Sequence, residues 1–193
     1  AALMGLESSV ALLLEKGFHA HKSKLFGLDP LCYAVVSSSF PVIKILLEKQ
    51  CNIQKKEGGL IDAFIIAAAL GRKDVLVYFF ENHRDKIDVN QVYPGGLTAL
   101  IFAAQNGHAA TVRLLLKEGA DVTICNEGNN ACMVAVSHGH KEVIEVFAEE
   151  NKEALCLKNE EGESLFAFTK SSEMRKFLTQ FIAAQAEYKT ILE

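Results

Sequence analysis

Two short histidine pairs are the first places to look for chemistry. His19 and His21 flank an alanine, and His138 and His140 flank a glycine. Paired imidazoles can ligate zinc, but a zinc site needs about four converging donors. Each pair would therefore need partners from elsewhere in the chain. Cysteines at 32, 51, 125, 132 and 156 offer sulfur nucleophiles, and a catalytic thiolate needs a histidine base within hydrogen-bond reach. Gly95-Gly96 has the backbone freedom of a phosphate-binding loop, yet no Gly-Lys-Ser/Thr follows it. The acidic side chains from Glu142 to Glu163 could hold a cation, but they lack the spacing of a calcium loop. Whether any of these groups can meet depends on the elements that carry them.

The bulk properties narrow the field. The chain has 193 residues, half of them hydrophobic, which is ample material for a core. A formal net charge of -4 argues against a broad phosphate-neutralising surface, so nucleic acid is not an expected partner. Residues up to Lys56 carry seven lysines against Glu7, Glu15, Asp29 and Glu48, a balance of +3 that leaves -7 for the remainder. A basic end and an acidic end could orient a partner, although a solvated surface with uneven charge accounts for the same drift. An odd number of cysteines without a C-x-x-C spacing fits free thiols in a reducing, cytoplasmic compartment. The longest apolar run, Ala63 to Leu70, falls short of the ~18 residues of a membrane span, and the first residues do not read as a signal peptide.

The elements follow from a recurring pattern. "TALIFAAQNGHAATVRLLLKEGADV", from Thr98, predicts a short helix ending at a glycine and a second helix ending the same way. Similar writing starts at Asp29, Asp62, Asn130 and Ser164, so that successive starts lie 33, 36, 32 and 34 residues apart. A period in the low thirties signals a stacked repeat protein. All five starting side chains can accept a hydrogen bond from a free N–H in a helix's first turn, and Pro30 follows the first at the position where a missing N–H costs nothing. Gly71, Gly107 and Gly139 are expected to end the first helices in the left-handed conformation; Ser38 and Glu173 stand in their place elsewhere, where looser turns are expected. The second helices carry apolar pairs one turn apart, such as Val42-Ile43 with Leu46-Leu47 and Val75-Leu76 with Phe79-Phe80. Val143-Ile144 with Phe147-Ala148 and Phe177-Leu178 with Phe181-Ile182 repeat the motif. Such a stripe must be covered by neighbouring units.

These residues resemble the ankyrin repeat family. "GLTALIFAAQNGH" and "LLLKEGADV" follow its pattern closely, "KIDVN" ending at Asn90 matches its last part, and Asp29-Pro30-Leu31 keeps a proline that the best copy replaces with Ala99. The resemblance implies an all-α fold, an ankyrin-repeat solenoid of stacked helix-turn-helix units joined by β-hairpin-like loops. Array residues 1–182 divide into approximate units 1–23, 24–56, 57–92, 93–125, 126–158 and 159–182, with 183–193 extending the last helix as a cap or linker. The opening residues align only with the later part of a repeat, so a fragment of a larger intracellular protein is expected. "ENHRDKID", between Phe80 and Val89, is about three residues longer than its equivalents and predicts a protruding loop.

The repeat places the two histidine pairs in the first and fifth units. Packed helices lie ~8–10 Å apart, so the pairs are tens of ångströms apart and share no metal. His108 and His140 fall at the family's Gly-His position, where the ring supports the turn. Cys32 and Cys132 sit at apolar positions of first helices and Cys51 where the family prefers alanine, as small buried hydrophobes. Cys125 and Cys156 fall in predicted loops. No catalytic residue, metal or cofactor is expected.

What the resemblance implies instead is a non-catalytic module, an adaptor or scaffold, binding a partner protein through hairpin tips and the concave face of the first helices. At the tips the candidates are Lys24, Phe26, Tyr93, Leu97, Asn126, Glu127, Asn129, Glu160 and Glu163. On the first helices they are Tyr33, Ser37, Leu70, Phe102, Gln105, Asn106, Ser137 and His138. A monomeric array is expected. The alternative is a regulatory or substrate-recruiting ankyrin domain of a larger enzyme or channel, or of a bacterial effector acting in a host cytosol.

Overall fold

The computed structural model describes residues 1–2, 4, 6–18, 28–49, 51–54 and 61–184. It divides into two compact units, 1–88 and 89–193. The fold is helical throughout, with short loops and very little strand.

In the first unit, α1 (Glu7–Glu15) packs on α3 (Phe40–Glu48), which pairs with α2 (Pro30–Val36). α4 (Ala63–Ala69) packs on α2 and turns into α5 (Lys73–His83). The starts of α2 and α4 are set by carboxylates: Asp29 accepts from the Cys32 N–H and Asp62 from the Ile65 N–H, each at 3.1 Å. The stripe Val42, Ile43, Leu46, Leu47 is buried, as is Val75, Leu76, Phe79, Phe80. α1 buries Val10 but leaves Leu12, Leu13 and the flanking Met4, Leu6 and Phe18 exposed. The loops are tied by an amide: Gln54 donates to the Asp88 carbonyl at 2.8 Å and accepts from its N–H at 2.7 Å.

The second unit holds α6 (Ala99–Gln105), α7 (Ala109–Lys117), the hairpin strands β1 (Cys125–Asn126) and β2 (Asn129–Asn130), and α8 (Ala131–His138). After them come α9 (Lys141–Glu150), the short α10 (Glu153–Cys156), a 3-10 turn at Leu165–Phe168, and α11 (Ser172–Ala184). First helices stack on first helices, α6 on α8, and the Leu165–Phe168 turn continues that row; second helices stack in their own row, α7 on α9. Thr98 caps α6 through the Ile101 N–H at 3.2 Å, and Asn130 caps α8 through the Met133 N–H at 2.9 Å. Asn90 repeats the amide staple, donating to the Gly119 carbonyl at 3.1 Å and accepting from the Asp121 N–H at 2.8 Å.

Four sequence expectations need correction. Ser164 makes no cap hydrogen bond, and the first helix of its copy is the 3-10 turn Leu165–Phe168. Ser38 does not loosen its turn: it adopts the left-handed conformation itself, φ 53°, and buries a hydroxyl without a partner. Glu173 does not end a helix but lies in the first turn of α11, where a carboxylate suits the helix dipole. The extra residues after Phe80 do not protrude as a loop; they prolong α5 to His83 and close it with a 3-10 turn, Arg84–Lys86, whose Arg84 lies over the Phe80 ring. The apolar positions 188, 191 and 192 of the expected long last helix lie outside the described residues.

Candidate binding surface

The turn between the two helices of a repeat fixes where each first helix stands. In the second unit, His140 follows the left-handed Gly139 and donates from Nε2 to the Gln105 carbonyl, 2.8 Å away. Gln105 is the last residue of α6, where carbonyls lack helical partners, so the ring pins α8 to the end of the preceding first helix. Gly107 makes room for it: besides its φ of 77°, a Cβ there would lie 2.6 Å from the His140 ring. In the first unit Arg72 plays the same part, donating from its guanidinium to the carbonyl of Val36, the last residue of α2, at 3.2 Å.

With α6 packed on α8 and pinned in this way, positions 32 residues apart are equivalent in the two repeats: Phe102 and Val134, Gln105 and Ser137, Asn106 and His138. Asn106 and His138 are exposed and the other four half-buried. The polar ends turn back on their own helices. Asn106 donates to the Phe102 carbonyl at 2.9 Å, Ser137 to that of Val134 at 2.9 Å, and the His138 Nδ1 lies 2.9 Å from the same Val134 carbonyl. The His138 ring stacks on His140 at 6.2 Å.

The tips lie beside this face and touch one another. Tyr93 and Leu97 pair across the Gly95-Gly96 turn, the Tyr93 N–H donating to the Leu97 carbonyl at 2.8 Å. Asn126 donates to the Gly95 carbonyl, and a Cβ on Gly96 would meet the Cys125 carbonyl at 2.5 Å, so the neighbouring tip is packed directly against this turn. The next hairpin turns at Glu127-Gly128, both left-handed with φ 49° and 78°. That is the conformation of a two-residue turn matched to strand twist. Gly128 lies against Glu160, whose turn is held by Asn159 accepting from the Glu161 and Glu163 N–H groups at 3.1 and 2.7 Å.

The structure thus gathers Leu97, Phe102, Gln105, Asn106, Asn126, Glu127, Asn129, Ser137, His138, Glu160 and Glu163 in the second unit, on adjoining elements. Glu127, Glu160 and Glu163 are exposed; Leu97, Asn126 and Asn129 are half-buried. Tyr93 departs from its expected place, being only 4% exposed. Its neighbour Val92 faces outward instead, 55% exposed. Successive side chains of an extended segment point to opposite sides, so the inward turn of Tyr93 sets Val92 outward. In the first unit Tyr33 is half-buried, Leu70 is exposed at the end of α4, and Ser37 donates to the carbonyls of Ala34 at 3.0 Å and Ala2 at 3.3 Å. Lys24, Phe26, His19 and His21 lie outside the described residues.

The opposite, second-helix side carries ion pairs between successive repeats. Arg113 on α7 forks between Glu149 and Glu150 on α9, 2.5 Å to each, with Lys117 3.6 Å from Glu150. Lys141 reaches Glu173 at 2.6 Å and lies over the Phe177 ring. Among the described residues no three His, Cys, Asp or Glu side chains converge as a metal site. Cys32, Cys51 and Cys132 are buried. Burial, and secondarily the Asp29 charge, pushes the Cys51 thiol up to about 11, while burial alone drives Cys132 further up. Cys125 and Cys156 are also raised, first by burial and then by nearby carboxylates. The Cys51, Cys125, Cys132 and Cys156 thiols are therefore held away from the reactive thiolate.

Residues 64–159 match the family model for ankyrin repeats, in three copies. The solved structure of the human ASB11 ankyrin repeat domain superimposes with a TM-score of 0.80 at 25% identity, over 93% of this chain and 80% of that one. Among curated proteins, the human NAD-capped RNA hydrolase NUDT12 is 32% identical over 111 residues, which is 53% of this chain and 24% of that protein. Ankyrin repeat protein nuc-2 of Neurospora crassa is 27% identical over 125 residues, 64% of this chain and 12% of that protein. The chain spans a quarter or less of the length of these relatives. No helix among the described residues is long and apolar enough to cross a membrane.

Proposed function

This chain belongs to the ankyrin repeat family, and we propose that it acts as a non-catalytic adaptor that binds a partner protein through α6, α8 and the tips beside them. Ankyrin repeats are generally protein–protein interaction modules, and their fold is generally non-catalytic. The observation that carries the assignment to this face is the contrast between the two sides of the second unit. On the second-helix side, Arg113 and Lys141 are committed to carboxylates of the next repeat. On the other side, Phe102, Val134, Asn106 and His138 stand at equivalent positions of α6 and α8, and their hydrogen bonds stay within their own helices, leaving ring and aliphatic surface open. An aromatic anchor among groups that need no rearrangement is the usual core of a binding patch.

A photoactivatable side chain at Asn106 tests this in extract of the source cells. A protein should be cross-linked from position 106 and not from position 145, on the exposed side of α9. Equal labelling from both positions, or from 145 alone, would refute the assignment.

A further inference from the structure

The binding face of the second unit carries more carboxylates than cations. Along its tips, first helices and the loops between them stand Asp121, Glu127, Glu160, Glu161 and Glu163, all exposed, against two lysines, Lys158 and Lys170. The unit's other cations up to α10 lie on or beside the second helices: Arg113, Lys117, Lys141 and Lys152. The carboxylates are close in space as well as in composition. Glu160 lies against Gly128, beside Glu127, and the charges of Glu160 and Asp121 both act on the Cys125 thiol between them. Phe102 and Val134, both half-buried, stand on α6 and α8, the first helices that follow these tips. Glu127 also holds a conformation, φ 49°, that glycine or asparagine would adopt at less cost.

Resting on the protein-binding reading above, we propose that the face of α6, α8 and the adjoining tips docks an extended segment of a partner protein in which a bulky apolar side chain is flanked by lysines or arginines. The apolar side chain lies along Phe102 and Val134. The flanking cations meet the carboxylates of the 127 and 160–163 turns. Because these carboxylates are exposed, their pairs with the partner are screened by salt, and their main effect falls on the association rate and on rejection of acidic segments.

The test uses the full chain and three short synthetic peptides, each with one leucine flanked by pairs of lysine, serine or glutamate. The lysine peptide is expected to bind about tenfold tighter than the serine peptide, with an affinity that falls as salt rises, and the glutamate peptide is expected not to bind. Glu127→Asn with Glu160→Gln should weaken the lysine peptide about tenfold without lowering the melting temperature, since asparagine relieves the turn. Glu142→Gln with Glu145→Gln, on α9, should leave binding unchanged. Equal weakening by the α9 pair would reduce the effect to attraction between opposite net charges and overturn the proposal. Absence of binding by the lysine peptide would overturn it too. Serine or glutamate peptides that bind best and are weakened by Phe102→Ala would overturn the basic class while leaving the protein-binding reading intact; cross-linking from position 106 judges that reading separately.

Discussion

At the scale of single residues, the chemistry suggested by residue types is mostly spent on structure. His140 resembles half of a ligand pair, yet its ring spans from one repeat to the last carbonyl of the first helix before it, and Arg72 does the same with different chemistry. The sequence shows a histidine after a glycine; it does not show which carbonyl lies 35 residues away in the fold. The cysteines behave likewise. Cys156 is exposed and Cys125 half-buried, so an aromatic disulfide reagent should modify Cys156 first and Cys125 more slowly, with Cys32, Cys51 and Cys132 reacting only as the chain unfolds. Rapid native-state labelling of Cys132 would contradict its burial. The raised Cys51 thiol also sets a pH dependence. Its stabilising contribution is fully present below the ordinary thiol value of 9.0 and is lost as pH rises towards about 11, because the unfolded thiol gives up its proton first. Melting temperature followed across that window should fall less steeply in Cys51→Ala than in the parent chain.

At the scale of elements, the caps were legible because they are local. Asp29, Asp62, Thr98 and Asn130 each bond the N–H three residues on, a reach fixed by helix geometry alone. Ser164 carries the same signal without the bond, since Leu165–Phe168 tightens into a 3-10 turn. Asp62→Ala, Thr98→Ala and Asn130→Ala should therefore each cost about 1 kcal/mol in denaturant unfolding, and Ser164→Ala less than about 0.5 kcal/mol. A Ser164 cost equal to the other three would mean that its copy forms a capped α-helix after all. The hairpin tips were harder to read. Their register turns on one residue, and Tyr93 and Val92 exchange inside and outside when it slips.

For the whole molecule, stability comes from stacking: each second helix buries a stripe that its own repeat cannot cover. Leu115, fully buried in α7 between its row neighbour α9 and its partner α6, tests this. Leu115→Ala should lower the unfolding free energy by about 2–5 kcal/mol, and hydrogen exchange should quicken in α6 and α9 as well as in α7. Faster exchange confined to α7 would show that the repeats are not coupled. By itself the sequence determined the repeat, its period, the caps and the buried stripes, because hydrogen-bond reach and helical periodicity operate within a few residues along the chain. Only the tertiary structure decided the rest: that Gln54 and Asn90 staple successive loops, that Tyr93 turns inward, and that the turns carrying Glu127 and Glu160, from separate repeats, pack together. Those outcomes join residues about 30 positions apart, and their distances are set by how repeats stack, which no single repeat encodes.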